Sequence, residues 1–314
     1  MERMPMQLRV VAINDGAQGV RVLRLARSDG ADLPEWEPGA HLEVTLPGGL
    51  RRHYSLCGSR ADGQEWTIGV LREERSRGGS SYLHDGVEVG RELTVTGVRN
   101  LFPLVPADEY VFIAGGIGIT PLLPMIETAE AAGSDWHLFY GGRRRASMAF
   151  LERLEPYGER VTVAPADECG RIDLGAALAA APRRALVYAC GPGPLLSSLE
   201  EEATAAGLEL HVERFTAAPL PASVQNATFE VQLAQTGVTL EVPADRSIVE
   251  VLEDNGIGVP SSCQEGVCGT CETKVLQGTP DHRDSILSDE ERRAGNTMMI
   301  CVGRSRSSRL VLDL

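Results

Sequence analysis

Hydrophobic and polar positions divide the chain into stretches of different period. Between residues 7 and 100, the short runs QLRVVAI, VRVLRLA, HLEVTL, HYSLCG, EWTIGVL and ELTVTG are rich in β-formers and half alternate between apolar and polar positions. Asn14-Asp15-Gly16, Pro47-Gly48-Gly49 and Ala61-Asp62-Gly63 are turn signals between them. Strands this short and this closely spaced predict an antiparallel barrel or sandwich. One short helix is expected near Ser80. Around residue 108 the period changes. YVFIAGG is a continuously apolar strand, and ITPLLPMIETAEAAG is helical in pattern and stops at Gly133. WHLFYGG, RVTVAPA, ALVYACG and LELHVERF then read as strands, and ASMAFLERLEPYG, DLGAALAAA and PLLSSLEEEATAAG as the helices between them. Repeated strand and helix imply a mostly parallel sheet covered on both faces.

The small, proline-containing segment 216–227 reads as a linker. Beyond it come a hairpin (TFEVQLAQTGVTLEV), a helix (SIVEVLEDNG), a cysteine-rich loop, a strand (CETKVLQG), a helix (SDEERRAG) and a last strand, RLVLDL. The predicted division is 1–105, 106–216, a linker at 217–227, and 228–314. A length of 314 residues suits such a multidomain chain.

Composition narrows the function classes. No apolar run reaches the ~18 residues of a membrane span, and the first residues lack the apolar core of a signal peptide. A cytoplasmic protein with no membrane partner is expected. A net charge of −14 argues against nucleic acid and permits a basic protein partner. A monomer is the default expectation.

The strongest chemical signal is Cys263-x4-Cys268-x2-Cys271, with Cys301 far downstream. Four thiolates at this spacing match the plant-type pattern for a 2Fe-2S cluster. A zinc knuckle is the alternative, but zinc sites usually pair two separated C-x2–4-C elements. Gly266 and Gly269 lie between the ligands, where the backbone must bend sharply. The stretches SSCQEGVCGTCETKVLQG and MMICVGRS resemble a plant-type ferredoxin. That resemblance implies a β-grasp (α+β) fold and leaves Cys57, Cys169 and Cys190 outside the ligand set.

A cluster carries one electron, whereas a nicotinamide delivers two, so a converter is needed between them. Arg52-His53-Tyr54-Ser55-Leu56 is the candidate flavin site. Arginine can clamp a phosphate, tyrosine offers a flat face to a ring system, and serine can hydrogen-bond near the reacting atoms. This segment resembles the R-x-Y-S motif of the ferredoxin-reductase superfamily. Arg77-Gly78-Gly79-Ser80 enters a helix and can present N–H groups to an anion; the ordinary alternative is a helix N-cap at Ser80. Arg52 and this turn around a terminal phosphate favour FMN over FAD, which would need a further adenine site.

Gly115-Gly116-Ile117-Gly118-Ile119-Thr120-Pro121 follows a buried strand and opens a helix, and so does Cys190-Gly191-Pro192. Glycine turns of this kind let the backbone approach a pyrophosphate. GGIGITP and CGPGP together resemble the pyridine-nucleotide domain of the same superfamily. That resemblance places Thr120 and Cys190 near the nicotinamide, Glu213 and Phe215 near its contact with the flavin, and Arg143 near the adenosine half. The run Arg143–Arg145 would suit the 2′-phosphate of NADPH or be a solvated basic turn; NADH is the expected donor, with NADPH possible.

The order flavin, nicotinamide, ferredoxin, together with RHYSL, SRGGSSYLH, AGGIGITP, CGPGPLL, EGVCGTCE and DHRDSILSDEER, resembles the phthalate dioxygenase reductase family across essentially the whole chain. The resemblance implies a flavin-binding β-barrel, an α/β nucleotide domain and a β-grasp ferredoxin domain. It also implies electron transfer from NAD(P)H through FMN and a 2Fe-2S cluster to a partner oxygenase, either a Rieske non-haem iron oxygenase or a haem-thiolate monooxygenase. Ser55, Thr120, Cys190 and Glu213 would stand closest to the chemistry. A stand-alone flavin or quinone reductase, or an oxidase, is the alternative function.

Overall fold

A computed structural model describes residues 5–74, 76–216 and 226–314. Most of the predicted linker, residues 217–225, lies outside the described residues. The chain forms two compact units, Met1–Glu213 and Arg214–Leu314. The first two predicted domains thus share one unit.

The first unit opens with strands β1 (Met6–Ala17), β2 (Val20–Arg27), β3 (Ala40–Thr45), β4 (Arg51–Ser55), β5 (Trp66–Leu71) and β6 (Glu92–Asn100). They lie in the order β4-β3-β6-β1-β2-β5 with antiparallel neighbours. The outer strands meet where Leu56 bridges Ile68 and the Cys57 N–H donates to the Thr67 carbonyl at 2.9 Å. The sheet therefore curls into a barrel. Alternation does the sorting: Leu8, Val10, Leu23, Leu25, Leu42 and Val44 fill the interior, while Gln7 and Arg9 face out. Helix α1 (Gly79–Asp85) adds Leu83 to that core. Its N-cap is Gly78, at φ 91°, so Ser80 sits inside the helix and not at its cap.

The same unit continues with β7 (Glu109–Gly115), α2 (Ile119–Ala132), β8 (Asp135–Gly142), α3 (Leu151–Leu154), β9 (Val161–Pro165), α4 (Ala166–Cys169), α5 (Leu174–Ala179), β10 (Leu186–Cys190), α6 (Gly193–Ala206) and β11 (Glu209–Glu213). The strands are parallel, in the order β11-β10-β7-β8-β9. Phe112 and Ala114 of β7 feed one apolar cluster, and Val111 and Ile113 another on the opposite face, which is why this strand has no polar alternation. The predicted helix over ASMAFLERLEPYG is cut down to α3, with 3-10 turns at Arg145–Ser147 and Glu155–Arg160. Phe150 takes φ 63° as its ring enters the core, the Tyr140 hydroxyl donates to the Ala149 carbonyl at 3.1 Å, and Gly158 turns the chain with φ 54°. These tertiary contacts override the local helical pattern.

Barrel and α/β layer are welded by the segment between them. The Tyr188 hydroxyl accepts from Val105 N at 2.8 Å and donates to Pro103 O at 3.1 Å. The Tyr110 hydroxyl accepts from Ala107 N at 2.7 Å and donates to Val105 O at 2.8 Å. Val20, Val22 and Cys57 of the barrel share one apolar cluster with Phe102, Phe112 and Tyr188.

The second unit contains β12 (Phe229–Leu233), β13 (Thr239–Val242), α7 (Ile248–Asp254), β14 (Glu272–Gln277), β15 (Pro280–Asp281), α8 (Asp289–Ala294), β16 (Thr297–Met299), β17 (Arg304–Ser305) and β18 (Arg309–Leu312). Its sheet runs β13-β12-β18-β14-β16, with β12 and β18 parallel at the centre, and β15 pairs with β17 separately. This is a β-grasp. Ile248, Val249, Val251 and Leu252 of α7 pack against Phe229, Val231, Leu310 and Leu312. Ser247 and Glu250 form a capping box that starts α7, and Ser288 and Glu291 do the same for α8. The sequence pattern missed β15, β16 and β17, which at two or three residues are too short to show a period. Among the described residues no helix is long and apolar enough to cross a membrane.

Gly39 marks the tightest contact between the barrel and the segment that leaves it. At φ 88°, a Cβ there would lie 1.8 Å from the Phe102 carbonyl oxygen. Gly39→Ala is expected to cost about 2–5 kcal/mol, combining left-handed strain with overpacking. Urea unfolding would measure it, and an unchanged midpoint would show that the segment at Phe102 yields freely.

Candidate functional site

In the first unit, the two barrel motifs come together. A Cβ on Gly79 would lie 2.7 Å from Arg52 Cγ and 3.0 Å from its Nε, so the arginine lies across the glycine. Arg52 also donates to the carbonyls of Arg51 and Arg77, at 2.7 and 3.1 Å. Beneath them Ser76, Ser80 and Ser81 join hydroxyls at 3.1–3.2 Å, and Ser80 Oγ accepts from Glu73 N at 3.1 Å. A guanidinium over a glycine-serine turn is a cradle of anion-binding chemistry.

Along β4, Tyr54 is half-buried and burial raises its phenol pKa, so it stays neutral. His53 Nε2 stands 3.4 Å from Glu43 Oε2, and its ring lies 5.0 Å from that of His41. His41 and Glu43 were not singled out by the sequence reading, yet both are buried. Burial first, and the His53 charge second, push His41 down to about 3. Only the pairing of β3 with β4 reveals this cluster, because the two histidines are not at helical or motif spacing. Leu56 is fully buried in the barrel core, where its backbone closes the barrel and its side chain is packed inside.

The two glycine turns of the α/β layer cross at the carboxyl ends of neighbouring strands. A Cβ on Gly118 would lie 2.2 Å from the Cys190 carbonyl oxygen, and one on Gly115 would lie 2.6 Å from Pro192 Cδ. Gly191 approaches the Gly115 backbone in the same way, at 3.0 Å. Gly116, at φ 55°, has open space where a Cβ would go. Ile119, Thr120 and Pro121 are buried. The Thr120 hydroxyl donates to Ile117 O at 2.9 Å, and its methyl lies against Gly69 of the barrel.

Strand register then aligns a row of side chains. Glu213 pairs with Cys190, Cys190 with Ala114, and Ala114 with Tyr140. Cys190 Sγ is 4.0 Å from Glu213 Oε2, and the Ser55 hydroxyl of the barrel is hydrogen-bonded to the Glu213 carboxyl. Ser55, Cys190 and Glu213, predicted separately, therefore meet. Burial pushes the Glu213 carboxyl up to about 8, against the smaller opposing effect of Ser55. Burial, with the Glu213 charge second, also raises the Cys190 thiol, so it stays protonated.

Arg143 directly follows β8 and is exposed. Arg145 is held in a bidentate pair with Glu168, at 2.8–3.1 Å. Phe215 falls in the second unit and is 38% exposed.

In that unit, the four predicted ligands converge. Cys263 is in hydrogen-bonding contact with Cys268 and Cys301, and Cys271 with Cys301. The loop reaches this shape through three residues with left-handed backbone: Gln264 at φ 56°, Gly266 at 69° and Gly269 at 69°. Backbone N–H of Glu265 donates to Cys263 Sγ at 3.3 Å, which stabilises thiolate there. Among the described residues, no three His, Cys, Asp or Glu side chains surround a point suited to a single metal ion. Four convergent thiols are the number of protein ligands that a 2Fe-2S cluster takes.

The Glu213 carboxyl has a measurable consequence. Its ordinary value is 4.5, so between about 4.5 and about 8 the folded chain binds a proton that the unfolded chain has lost. Its contribution is most favourable to folding below 4.5 and declines as pH rises through this window. Glu213→Gln, which mimics the protonated group, is expected to become more stable relative to the unsubstituted protein from pH 5 to pH 8, by at most about 1.4 kcal/mol per pH unit. Denaturant unfolding across that range would test it; parallel profiles would mean an ionised carboxylate at neutral pH.

Comparison with known proteins places these features in a family. Residues 231–305 match the model of the 2Fe-2S iron-sulfur cluster binding domain. The chain is 45% identical over 315 residues to phenoxybenzoate dioxygenase subunit beta of Ectopseudomonas oleovorans, covering 99% of this chain and 98% of that protein. Among solved structures it matches phthalate dioxygenase reductase, a modular structure for electron transfer from pyridine nucleotides to [2Fe-2S], with TM-score 0.74, 35% identity, and coverage of 99% and 98%. It also matches an intact type IV self-sufficient cytochrome P450 monooxygenase, with TM-score 0.88 and 41% identity, over 99% of this chain but 41% of that longer one. Full-length similarity at these identities means that the chain belongs to the phthalate dioxygenase reductase family, the oxidoreductases that act as reductase components of oxygenase systems.

Proposed function

We propose that the chain takes electrons from NADH through FMN in its first unit to a 2Fe-2S cluster in its second, and delivers them singly, in the cytoplasm, to a partner oxygenase of the Rieske or haem-thiolate type. The observation that carries this reading is the convergence of Cys263, Cys268 and Cys271 from one loop with Cys301 from just after β16. A one-electron carrier has no use in a reductase that serves only two-electron acceptors. FMN, when bound, supplies the conversion between paired and single electrons.

The side chains fit the three groups. Cys263 with Cys268 and Cys271 with Cys301 would hold the cluster. Arg52, Arg77, Gly78, Gly79 and Ser80 would hold the flavin phosphate, with His53, Tyr54, Ser55 and the Leu56 backbone along the rest of the flavin. Arg52 across Gly79 supports this, because a Cβ there would collide with the Arg52 side chain from Cγ to Nε. Gly115, Gly116, Gly118 and Gly191 would leave the nucleotide pyrophosphate close to backbone N–H groups, with Ile119, Pro121 and Pro192 fixing the turns. Thr120 and Cys190 would flank the nicotinamide. Glu213, protonated at neutral pH and tied to Ser55, would keep a neutral hydrogen-bonding group there rather than a charge.

One ion pair just past β8 favours NADH over NADPH, with Arg143 and Arg144 left exposed beside it. In parallel nucleotide-binding sheets, the strand beside the pyrophosphate turn ends near the adenosine ribose, where a free arginine welcomes a 2′-phosphate and a carboxylate repels one. Here the fork of Arg145 is already taken by Glu168.

Two experiments test the reading. Cys268→Ser is expected to abolish NADH-driven reduction of cytochrome c while sparing reduction of a small two-electron dye. Cytochrome c reduction that survives would favour a stand-alone flavin or quinone reductase. Glu168→Gln should free Arg145 and raise the NADPH-to-NADH ratio of kcat/KM by roughly two- to fivefold, the modest effect of one exposed ionic contact. Steady-state kinetics with both nucleotides would show it, and Arg145→Ala in the same background should erase the gain.

A further inference from the structure

The stretch Asp281–Arg292 supplies no ligand, yet part of it is built against the cysteine loop. Gly266, between Cys263 and Cys268, accepts a hydrogen bond from Ser285 N at 2.9 Å. A Cβ on Gly266 would lie 2.9 Å from Asp284 Cα and 2.6 Å from Val302, the residue after Cys301. Asp284 is 5% exposed. Its Oδ2 accepts from Ile286 N at 3.1 Å and Leu287 N at 2.8 Å, and faces Arg292 Nη2 at 3.5 Å. Arg292 spans the same turn, donating to Asp284 O at 2.6 Å and to Leu287 O at 2.9 Å. The other carboxylate oxygen, Oδ1, is enclosed and has no hydrogen-bond donor among the described residues. A buried charge served on one oxygen only is not fully neutralised by its partner.

We propose that Asp284 and Arg292 form a positioning pair that braces the cysteine loop through Gly266 and sets the reduction potential of the cluster it holds. The proposal rests on the 2Fe-2S reading above. Cluster potentials respond to nearby charge as well as to sulfur hydrogen bonds, and charge acts strongly where water is excluded. A carboxylate beside the loop disfavours the added electron, and the guanidinium opposes it. The two residues should therefore act with opposite sign, which a purely structural brace would not do.

The test is an anaerobic redox titration of the full-length protein, following the cluster by low-temperature EPR and the flavin by absorbance in the same samples. Asp284→Asn should shift the cluster reduction equilibrium toward the reduced form, and Arg292→Gln toward the oxidised form, each by roughly three- to tenfold, where tenfold reads as about 59 mV for one electron. The flavin midpoint should stay where it is. Unmoved midpoints with normal cluster content, or midpoints that move in the same direction, would overturn the proposal. Should Asp284→Asn fail to load a cluster, the decision passes to Arg292: a shift in Arg292→Gln that Arg292→Lys does not share supports the pair, and equal behaviour of the two variants overturns it. Absence of a 2Fe-2S signal from the unsubstituted protein would instead remove the cluster reading itself.

Discussion

The first unit depends on one close approach. Two chain turns cross at the carboxyl ends of neighbouring parallel strands, with Gly118 so near the Cys190 carbonyl that any Cβ would overlap it. That crossing is possible only with glycine on the Gly118 side, and it fixes where β7 and β10 end relative to each other. Parallel register then does the rest, setting Glu213 beside Cys190 and Cys190 beside Ala114. The barrel docks onto this edge through Ser55 and through Gly69, which lies against Thr120 and Phe150. The proposed reaction centre is therefore a product of backbone packing and not of any local motif.

That origin explains what could be read from the chain. The cysteine spacing was legible because its three near ligands lie in one loop, where sequence distance and spatial distance agree. The β-α alternation was legible because β7 is buried on both faces and its helices carry clean apolar periods. Ser55, Cys190 and Glu213 could be named only one at a time, since their meeting depends on a barrel strand folding against a distant sheet. His41 and Glu43 left no signal at all: a polar residue on an alternating strand reads as solvent-facing, and only the neighbouring β4 shows that these two are covered. The helix expected over residues 146–158 failed for the opposite reason. Its local pattern was sound, but burying Phe150 required a left-handed backbone that no helix tolerates.

The two units solve different electrostatic problems. In the first, burial keeps Glu213 and Cys190 protonated at neutral pH, so the row beside Ser55 carries hydrogen-bonding groups with little net charge. Such a site can accept a nucleotide and a flavin, both already anionic, without adding repulsion. In the second, charge is concentrated: residues 226–314 contain 14 Asp and Glu against 8 Lys and Arg. An acidic unit around a cluster of four thiolates suits a basic partner surface, and attraction of that kind weakens as salt rises.

Division into units follows from the chemistry proposed for each. Transfer of an electron pair between two bound cofactors needs them held in a fixed geometry, which the shared core of barrel and α/β layer provides through Phe102, Phe112, Tyr188 and the tyrosine-pinned connector. A cluster that passes single electrons has no such bond-making requirement, and its unit has a separate apolar core of its own, from Phe229 to Leu312. What that unit must hold rigid is the cysteine loop alone, with three left-handed residues in nine positions. Of the three only Gln264 carries strain, since glycine takes this region freely, and the contacts of Gly266 with Asp284 and Val302 are where this chain holds the loop.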